Sequence, residues 1–246
     1  MRVTFALAAL LALSACGDGS GSGNSFAPAE PVKGSAPPAG QQWSDVVEQT
    51  AEGFRMGNPN APIKLVEYGS RTCPTCGAFG REGQAPLVEK YVSTGKVSFE
   101  FRDFLIHGPP DMAAAVLGRC AGAAPFFPIL EQMYVNQMGY LEKQGAAAQD
   151  TAFLNSLQGK SPSTVTTAWA EKMGLIDFVK QRGIPEPQAR ACLNDTKTLE
   201  AMAKTTNDIG ASGKVTGTPT FFINDRVVEN VLSWSQLEPK LKEAGA

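Results

Sequence analysis

The chain has 246 residues, of which 43% are hydrophobic, and its 22 basic and 24 acidic side chains give a net charge of −2. This composition is typical of one globular domain, and the charge balance offers no support for binding to a nucleic-acid backbone. Five cysteines are too few for a small domain stabilised mainly by disulfides, so each cysteine needs its own explanation.

The amino terminus has the pattern of a signal peptide. Arg2 precedes an apolar run that ends at Leu13 and is too short to span a bilayer. The sequence Leu13-Ser14-Ala15-Cys16 resembles the lipobox of bacterial lipoproteins, which implies cleavage after residue 15 and attachment of lipid to the Cys16 sulfur. The alternative is a simple secretory signal with an incidental cysteine. The lipoprotein interpretation predicts a lipid-anchored protein at the periplasmic face of a membrane of the bacterial envelope.

Residues 17–42 are rich in Gly, Ser, Ala and Pro and contain little that can be buried. Such a composition does not repay the entropy lost on ordering, so we predict a flexible linker over residues 16–42. The folded domain is predicted to cover residues 43–246. It opens with a short helical pattern from Trp43 to Ala51.

The first part of the domain has the pattern of a βαβ unit. A strand is predicted from Ile63 to Tyr68, a helix from Pro74 to about Ser93, and a second, alternating strand from Val97 to Phe101. Pro86 is expected to kink or interrupt the helix. Two strands connected in this way are expected to pair in parallel.

The middle of the chain, from about residue 108 to 195, contains no convincing strand and is predicted to form a helical insertion. Its helices are expected at Met112–Ala121, Phe126–Leu141, Ser163–Arg182 and Glu186–Leu193. They are followed by a helix from Thr196 to Ser212, a hairpin of strands 220–223 and 226–228, and a helix from Ser233 to Glu243. The predicted fold class is α/β, with the insertion between a βαβ unit and a C-terminal αββα unit.

A C-x-x-C motif, Cys73-Pro74-Thr75-Cys76, lies where the first strand gives way to the helix. Cys73 then occupies the helix N-terminus, where unpaired amides and the helix dipole favour a thiolate. Pro74 suits the first helical turn, and Cys76 lies one turn inside. The two sulfurs can form a reversible disulfide, which a stabilised Cys73 thiolate makes oxidising.

Two other interpretations of the motif remain open, a zinc site and a purely structural disulfide. A zinc site needs further ligands, but the chain has no second close pair of Cys or His, and its single histidine, His107, falls in a predicted loop. A structural disulfide predicts a bond that resists mild reductants. We predict neither a metal nor any other cofactor.

The C-x-x-C motif in its βα unit, the helical insertion and the segment from Gly217 to Phe221 together resemble the thioredoxin-like DsbA family of thiol-disulfide oxidoreductases. The resemblance covers about residues 56–246. It implies that the peptide bond between Thr218 and Pro219 is cis and that Pro219 packs beside the active-site disulfide. It also implies that the Thr218 backbone pairs with an extended substrate.

Two positions modify this expectation. Strongly oxidising members of the family carry histidine where this chain has Thr75, whose hydroxyl brings no charge, so we predict a less depressed pKa for Cys73 and a less oxidising disulfide. Glu67 matches a buried acid of related proteins, and a carboxyl with raised pKa at that place can carry the proton of Cys76. The alternative is an exposed Glu67 paired with a lysine.

Cys120 and Cys192 fall in predicted helices of the insertion, and some family members join corresponding positions by a second disulfide. The resemblance then implies one lipidated, two redox-active and two structural cysteines. Two buried thiols remain the alternative.

The predicted function is that of a monomeric thiol-disulfide oxidoreductase of the cell envelope, acting as an oxidant of folding proteins. Its expected partners are cysteine-containing proteins in extended conformation, a membrane redox partner, and the membrane surface through the lipid anchor, with no nucleic acid. One alternative is a reductase or isomerase supplied with electrons by a membrane donor. Another is a non-catalytic lipoprotein that binds peptides on the same scaffold.

Overall fold

A computed structural model describes residues 30–246 of the chain. The strands of this part are β1 (Val47–Gln49), β2 (Gly53–Met56), β3 (Ile63–Gly69), β4 (Val97–Asp103), β5 (Thr220–Ile223) and β6 (Arg226–Val228). Its α-helices are α1 (Pro74–Leu87), α2 (Pro109–Arg119), α3 (Phe126–Val135), α4 (Gln137–Gln149), α5 (Thr151–Ser156), α6 (Pro162–Lys172), α7 (Leu175–Lys180), α8 (Glu186–Leu193), α9 (Thr196–Ala211) and α10 (Trp234–Glu243). The predicted α/β class, with a helical insertion between a βαβ unit and an αββα unit, is confirmed.

The strands form one mixed sheet in the order β1-β2-β4-β3-β5-β6. The predicted parallel pairing of β3 and β4 is confirmed, with Ile63 opposite Val97 and Gly69 opposite Asp103. The C-terminal hairpin is confirmed as well, and its turn residues Asn224 and Asp225 have φ values of 49° and 65°. β3 therefore lies inside the sheet, and its carboxyl end leads directly into the C-x-x-C motif.

Apolar layers cover both faces of β3, which fixes its position. Ile63 and Leu65 belong to the main core, together with apolar residues of α1, α3 and α10. Val66 and Tyr68 point to the opposite face and join a smaller apolar cluster. The helical insertion has a separate core, which surrounds α2. The loop after β3 thus lies between two packed bodies, the sheet and the insertion.

The segment from Trp43 to Ala51 differs from its prediction. It forms a single 3-10 turn at Trp43–Asp45 and then β1, which pairs with β2 as an antiparallel hairpin at the sheet edge. The predicted helix is therefore wrong. Strands of three and four residues contain too few alternations to be told from a helical pattern.

Two predicted helices of the insertion are each divided. The helix expected over Phe126–Leu141 breaks at Asn136, between α3 and α4. The helix expected over Ser163–Arg182 breaks at Gly174, whose φ of 73° is left-handed and ends a regular α-helix. The insertion also contains α5, which is absent from the predicted elements.

Pro86 lies inside α1, and the helix continues through it. Because proline has no amide hydrogen, one bond to the preceding turn is lost. The chain then forms a wider, π-helical turn at Val88–Val92. Pro86 is expected from the sequence to kink or interrupt the helix. In the structure the helix is not interrupted, and its pitch changes after Leu87.

Residues 30–42, predicted as part of a flexible linker, lie against the domain. The Val32 amide donates to the Gly245 carbonyl at 2.8 Å, and the Val32 side chain packs on the main core. Trp43 Nε1 donates to the Ser35 carbonyl at 2.7 Å. The Val32 contact and these hydrogen bonds hold the segment in place, although its composition predicts a flexible chain. The predicted signal peptide, Cys16 and the rest of the linker lie outside the described residues.

None of the helices within residues 30–246 combines the length and the apolar composition that crossing a membrane requires.

Candidate active site

The two cysteines of the C-x-x-C motif lie at the start of α1. Cys73 is the N-cap residue, with extended backbone (φ −85°, ψ 118°), and its Sγ accepts the Cys76 amide at 3.4 Å. Cys73 is 5% exposed and Cys76 is fully buried. Both are free thiols in this structure. The helix N-terminus thus holds one sulfur close to the surface and the other beneath it.

The two sulfurs have opposite acidities. A hydrogen bond from the Cys76 thiol, aided by the amides of Cys76 and Thr75, lowers the pKa of Cys73 from 9.0 to about 5, although burial acts against it. The pKa of Cys76 is raised well above 9.0. The causes are burial, the hydrogen bond to Cys73, and the negative charges of Glu67 and Cys73. At neutral pH Cys73 is therefore a thiolate and Cys76 a thiol.

Glu67 lies beneath the motif on β3. It is opposite Phe101 on β4 and Phe221 on β5, and it is only 2% exposed. Burial and the negative charge of Cys73 raise the pKa of Glu67 from 4.5 to about 8. Its buried Oε1 has no hydrogen-bond partner among the described residues. These facts match the predicted buried acid and oppose the exposed, lysine-paired alternative.

The segment before β5 meets the motif from the other side. The peptide bond between Thr218 and Pro219 is cis. The Thr218 carbonyl oxygen lies 3.3 Å from Cys73 Sγ. A surface groove of about 410 Å³ runs along Thr218 and Pro219 to the residues around Val231. The structure therefore brings the Thr218 backbone to Cys73, next to a cis bond at Pro219.

Thr75 contacts Cys73 through its backbone rather than through its side chain. Its side chain is exposed, and its amide, rather than its hydroxyl, helps to stabilise the Cys73 thiolate. Within residues 30–246 the Thr75 hydroxyl makes no hydrogen bond. The pKa of Cys73, about 5, lies between about 3.5 for a strongly oxidising relative and about 7 for thioredoxin.

Helix α4 of the insertion holds the backbone of residues 70–73, the loop between β3 and α1 that we call the catalytic loop. Gln137 Nε2 donates to the carbonyl of Cys73 at 2.7 Å and to that of Arg71 at 3.0 Å. The Tyr140 hydroxyl donates to the same Arg71 carbonyl at 2.6 Å. A Cβ added at Gly77 would lie 2.0 Å from Gln137, so only glycine admits this approach. Sequence patterns do not reveal these residues, because contacts over more than 60 positions leave no local signal.

A buried arginine lies just before the motif. Arg71 is 0% exposed, pairs with Asp103, and has its guanidinium 5.3 Å from the ring centres of Phe101 and Phe126. Asp103 also pairs with Arg119, at 3.4 Å. Burial lowers the pKa of Arg71 to about 10, which leaves it charged at neutral pH. The loop is therefore fixed by a buried ion pair in addition to the hydrogen bonds from α4.

His107, predicted in a loop, lies in the exposed connection between β4 and α2. Its Nδ1 is 2.7 Å from the hydroxyl oxygen of Thr72, the residue before Cys73. Sequence reasoning places His107 in a loop but gives no signal that this loop borders the catalytic cysteines.

Cys120 and Cys192 are joined by a disulfide with an S–S distance of 2.04 Å and a Cα–Cα distance of 5.9 Å. The bond connects the end of α2 to α8 and lies in the insertion, apart from the C-x-x-C motif.

Within residues 30–246, no group of three or more His, Cys, Asp or Glu side chains is arranged so that it could hold a metal ion.

A family profile described as Thioredoxin matches residues 49–243 of the chain. The chain therefore belongs to the thioredoxin family. Its fold is shared with solved structures of other proteins. One of these, a Novosphingobium aromaticivorans protein named a protein-disulfide isomerase, is 28% identical with a TM-score of 0.71, over 78% of this chain and 97% of that one. Wolbachia pipientis alpha-DsbA1, 20% identical with a TM-score of 0.59, shares the fold.

Curated relatives carry related names. A Rickettsia bellii protein, named provisionally a protein-disulfide oxidoreductase, is 28% identical over 71% of this chain and 58% of its own length. Disulfide bond formation protein D of Bacillus subtilis is 20% identical over 76% of this chain and 75% of its own length. The chain thus matches little more than half of the Rickettsia protein.

Proposed function

We propose that the protein exchanges disulfides with cysteine-containing proteins through Cys73 and Cys76, and that its net direction is oxidation of the substrate. The observation that carries this proposal is the contrast between a Cys73 with a pKa of about 5 and a buried Cys76 whose pKa is raised. A low pKa stabilises the reduced form, and so makes the disulfide form an oxidant.

In the proposed reaction, a substrate thiolate attacks Cys73 of the oxidised protein, and Cys76 leaves as a thiolate that takes up a proton. Protonated Glu67 is the acid placed to supply that proton. A second substrate thiolate then attacks the substrate sulfur of the mixed disulfide, and Cys73 leaves as a stable thiolate. Two electrons pass from the substrate dithiol to the protein, and the substrate leaves as a disulfide.

The backbone at Thr218 is proposed to align an extended substrate beside Cys73. Thr218 lines the groove, and its carbonyl oxygen lies 3.3 Å from Cys73 Sγ. An extended chain placed there presents its cysteine to Cys73 with little rearrangement. Pro74 begins α1 and keeps the helix N-terminus in place beneath the sulfur.

The redox potential tests the direction of the reaction. We expect equilibrium with glutathione to give a value between about −270 mV, as in thioredoxin, and about −120 mV, as in the strongest oxidant, because the Cys73 pKa also lies between theirs. A value at or below that of thioredoxin would favour the reductase.

An isomerase is the second candidate, since the Novosphingobium protein bears that name. Repair of a scrambled disulfide protein without added oxidant would identify it.

Thr75→His is expected to raise the potential by about 30 mV or more, because an imidazolium at the helix N-terminus adds a positive charge beside the thiolate. Thr75→Val is the matched control. It removes only a hydroxyl that makes no hydrogen bond among residues 30–246, so its potential should stay at the native value. An unchanged or lower potential in Thr75→His would refute the assigned role of this position.

We further propose that the protein acts in the bacterial envelope, held on the periplasmic face of a membrane by lipid on Cys16. The proposal is supported by the lipobox-like sequence that ends at Cys16. Cells grown with a clickable fatty acid should yield labelled protein, and Cys16→Ser should abolish the label. Unlabelled native protein would exclude the anchor without affecting the proposed chemistry.

A further inference from the structure

A second groove opens on the helical insertion beside the catalytic loop. It has a volume of about 540 Å³ and a mainly apolar lining, which includes Pro109, Leu154, Val165 and Trp169. It has no lining residue in common with the groove along Thr218. We call it the insertion groove. Its size and lining are those of sites that take up apolar groups.

One end of the insertion groove lies beside the loop that leads into Cys73. His107 lines the groove, and its Nδ1 lies 2.7 Å from the hydroxyl of Thr72, the residue before Cys73. A polypeptide joined to Cys73 through a disulfide extends about 3.3 Å per residue. Residues a few positions from its cysteine therefore reach the groove.

The lining favours an uncharged, apolar occupant with a peptide group beside it. The polar residues of the lining are His107, Gln144 and Gln158. Among the described residues, no carboxylate, ammonium or guanidinium group lines the groove. Gln144, one of the amides, has a buried Oε1 without a hydrogen-bond partner in the described residues. A buried acceptor without a donor is unfavourable, and a substrate amide would supply that donor. Leu154 is 37% exposed at the rim and can contact an incoming side chain.

We propose that the insertion groove binds an apolar side chain of the substrate polypeptide, of the size of Leu or Phe, from the segment that flanks the cysteine joined to Cys73. This inference rests on the proposed disulfide exchange and specifies its substrates. The groove along Thr218 aligns the backbone, and the insertion groove selects substrates with an apolar residue at a fixed distance from the reacting cysteine.

The test uses the reduced full-length protein and peptides whose single cysteine is linked to thionitrobenzoate. The Cys73 thiolate attacks the peptide sulfur, the protein–peptide disulfide forms, and thionitrobenzoate leaves as a coloured thiolate. Phe or Ser is placed in turn at each position flanking the cysteine. We expect Phe at one position to raise the second-order rate constant about tenfold, equivalent to about 1.4 kcal/mol.

Leu154→Glu should abolish that advantage, because it places a charge at the rim of the apolar groove. Val135→Glu is the matched control, since Val135 is also an exposed apolar residue, 57% accessible, and does not line the groove. Its Phe advantage should persist. The thionitrobenzoate disulfide of glutathione, which has no apolar side chain, should react equally with all three proteins.

The inference is overturned if no position favours Phe, or if the advantage survives Leu154→Glu. These results leave the proposed exchange intact as long as the glutathione reagent reacts. If that reagent fails to react with Cys73 of the native protein, the proposed function itself is wrong and the inference falls with it.

Discussion

Cys76→Ser is expected to turn the protein into a trap for its substrates. Cys73 would still attack a substrate disulfide, because the amides at the start of α1 still stabilise its thiolate. Release would fail, because resolution depends on a second sulfur held one helical turn away. Intramolecular groups of this kind act at effective concentrations many orders of magnitude above those of free thiols, so we expect release to slow at least about 1,000-fold.

The measurement is mass spectrometry, or electrophoresis without reductant, after acid quenching of cells that express the variant. Mixed disulfides through Cys73 should accumulate. Cys73→Ser is the matched control, and it should form none, since the remaining Cys76 is fully buried and has a raised pKa. Equal amounts of mixed disulfide in both variants, or full exchange activity in Cys73→Ser, would contradict the assigned roles.

Glu67→Gln is expected to slow resolution by Cys76 about 100-fold at pH 8, where about half of the native Glu67 is ionised and can accept the Cys76 proton. Glutamine keeps the size of the side chain but cannot exchange a proton with Cys76. Stopped-flow measurements across pH should also lose the inflection near 8 that Glu67 gives to the native protein. Formation of the mixed disulfide by Cys73 serves as the internal control and should change little below that pH.

The same substitution should change the dependence of stability on pH. The folded-state pKa of Glu67, about 8, lies above its ordinary value of 4.5, so the unfolded chain releases this proton first as the pH rises. Glu67 therefore lowers the stability of the native protein progressively between these two values. In urea titrations Glu67→Gln should be more stable than the native protein at pH 8, and the difference should vanish below pH 4.5. A difference that stays constant across this range would show that Glu67 does not titrate with a raised pKa.

Elements with strong local patterns could be predicted from the sequence. β4 alternates apolar and polar residues, and the hairpin of β5 and β6 turns at Asn224 and Asp225, two residue types that tolerate positive φ. The placement of Cys73 at a helix N-terminus follows from the same local rules, because it needs only a strand, a short turn and Pro74.

Other features depend on tertiary contacts and could not be predicted. The order in residues 30–42 comes from contacts with Gly245 and Trp43, although the composition of the segment favours disorder. The sequence positions Glu67 six residues before Cys73, but its burial depends on Phe221, more than 150 residues away. Gln137 and His107 reach the catalytic loop from elements whose packing no local pattern reveals, and the same holds for Asp103, which pairs with Arg71.

Titration of the Cys73 thiolate tests the central claim most directly. The ultraviolet absorbance of the thiolate in the reduced native protein, with the oxidised protein as reference, reports its ionisation against pH. We predict a single transition with a midpoint near pH 5, well separated from any ionisation of the buried Cys76. A midpoint near 8.5, the value of an unperturbed cysteine, would show that the start of α1 does not stabilise the Cys73 anion and would contradict the proposed oxidant.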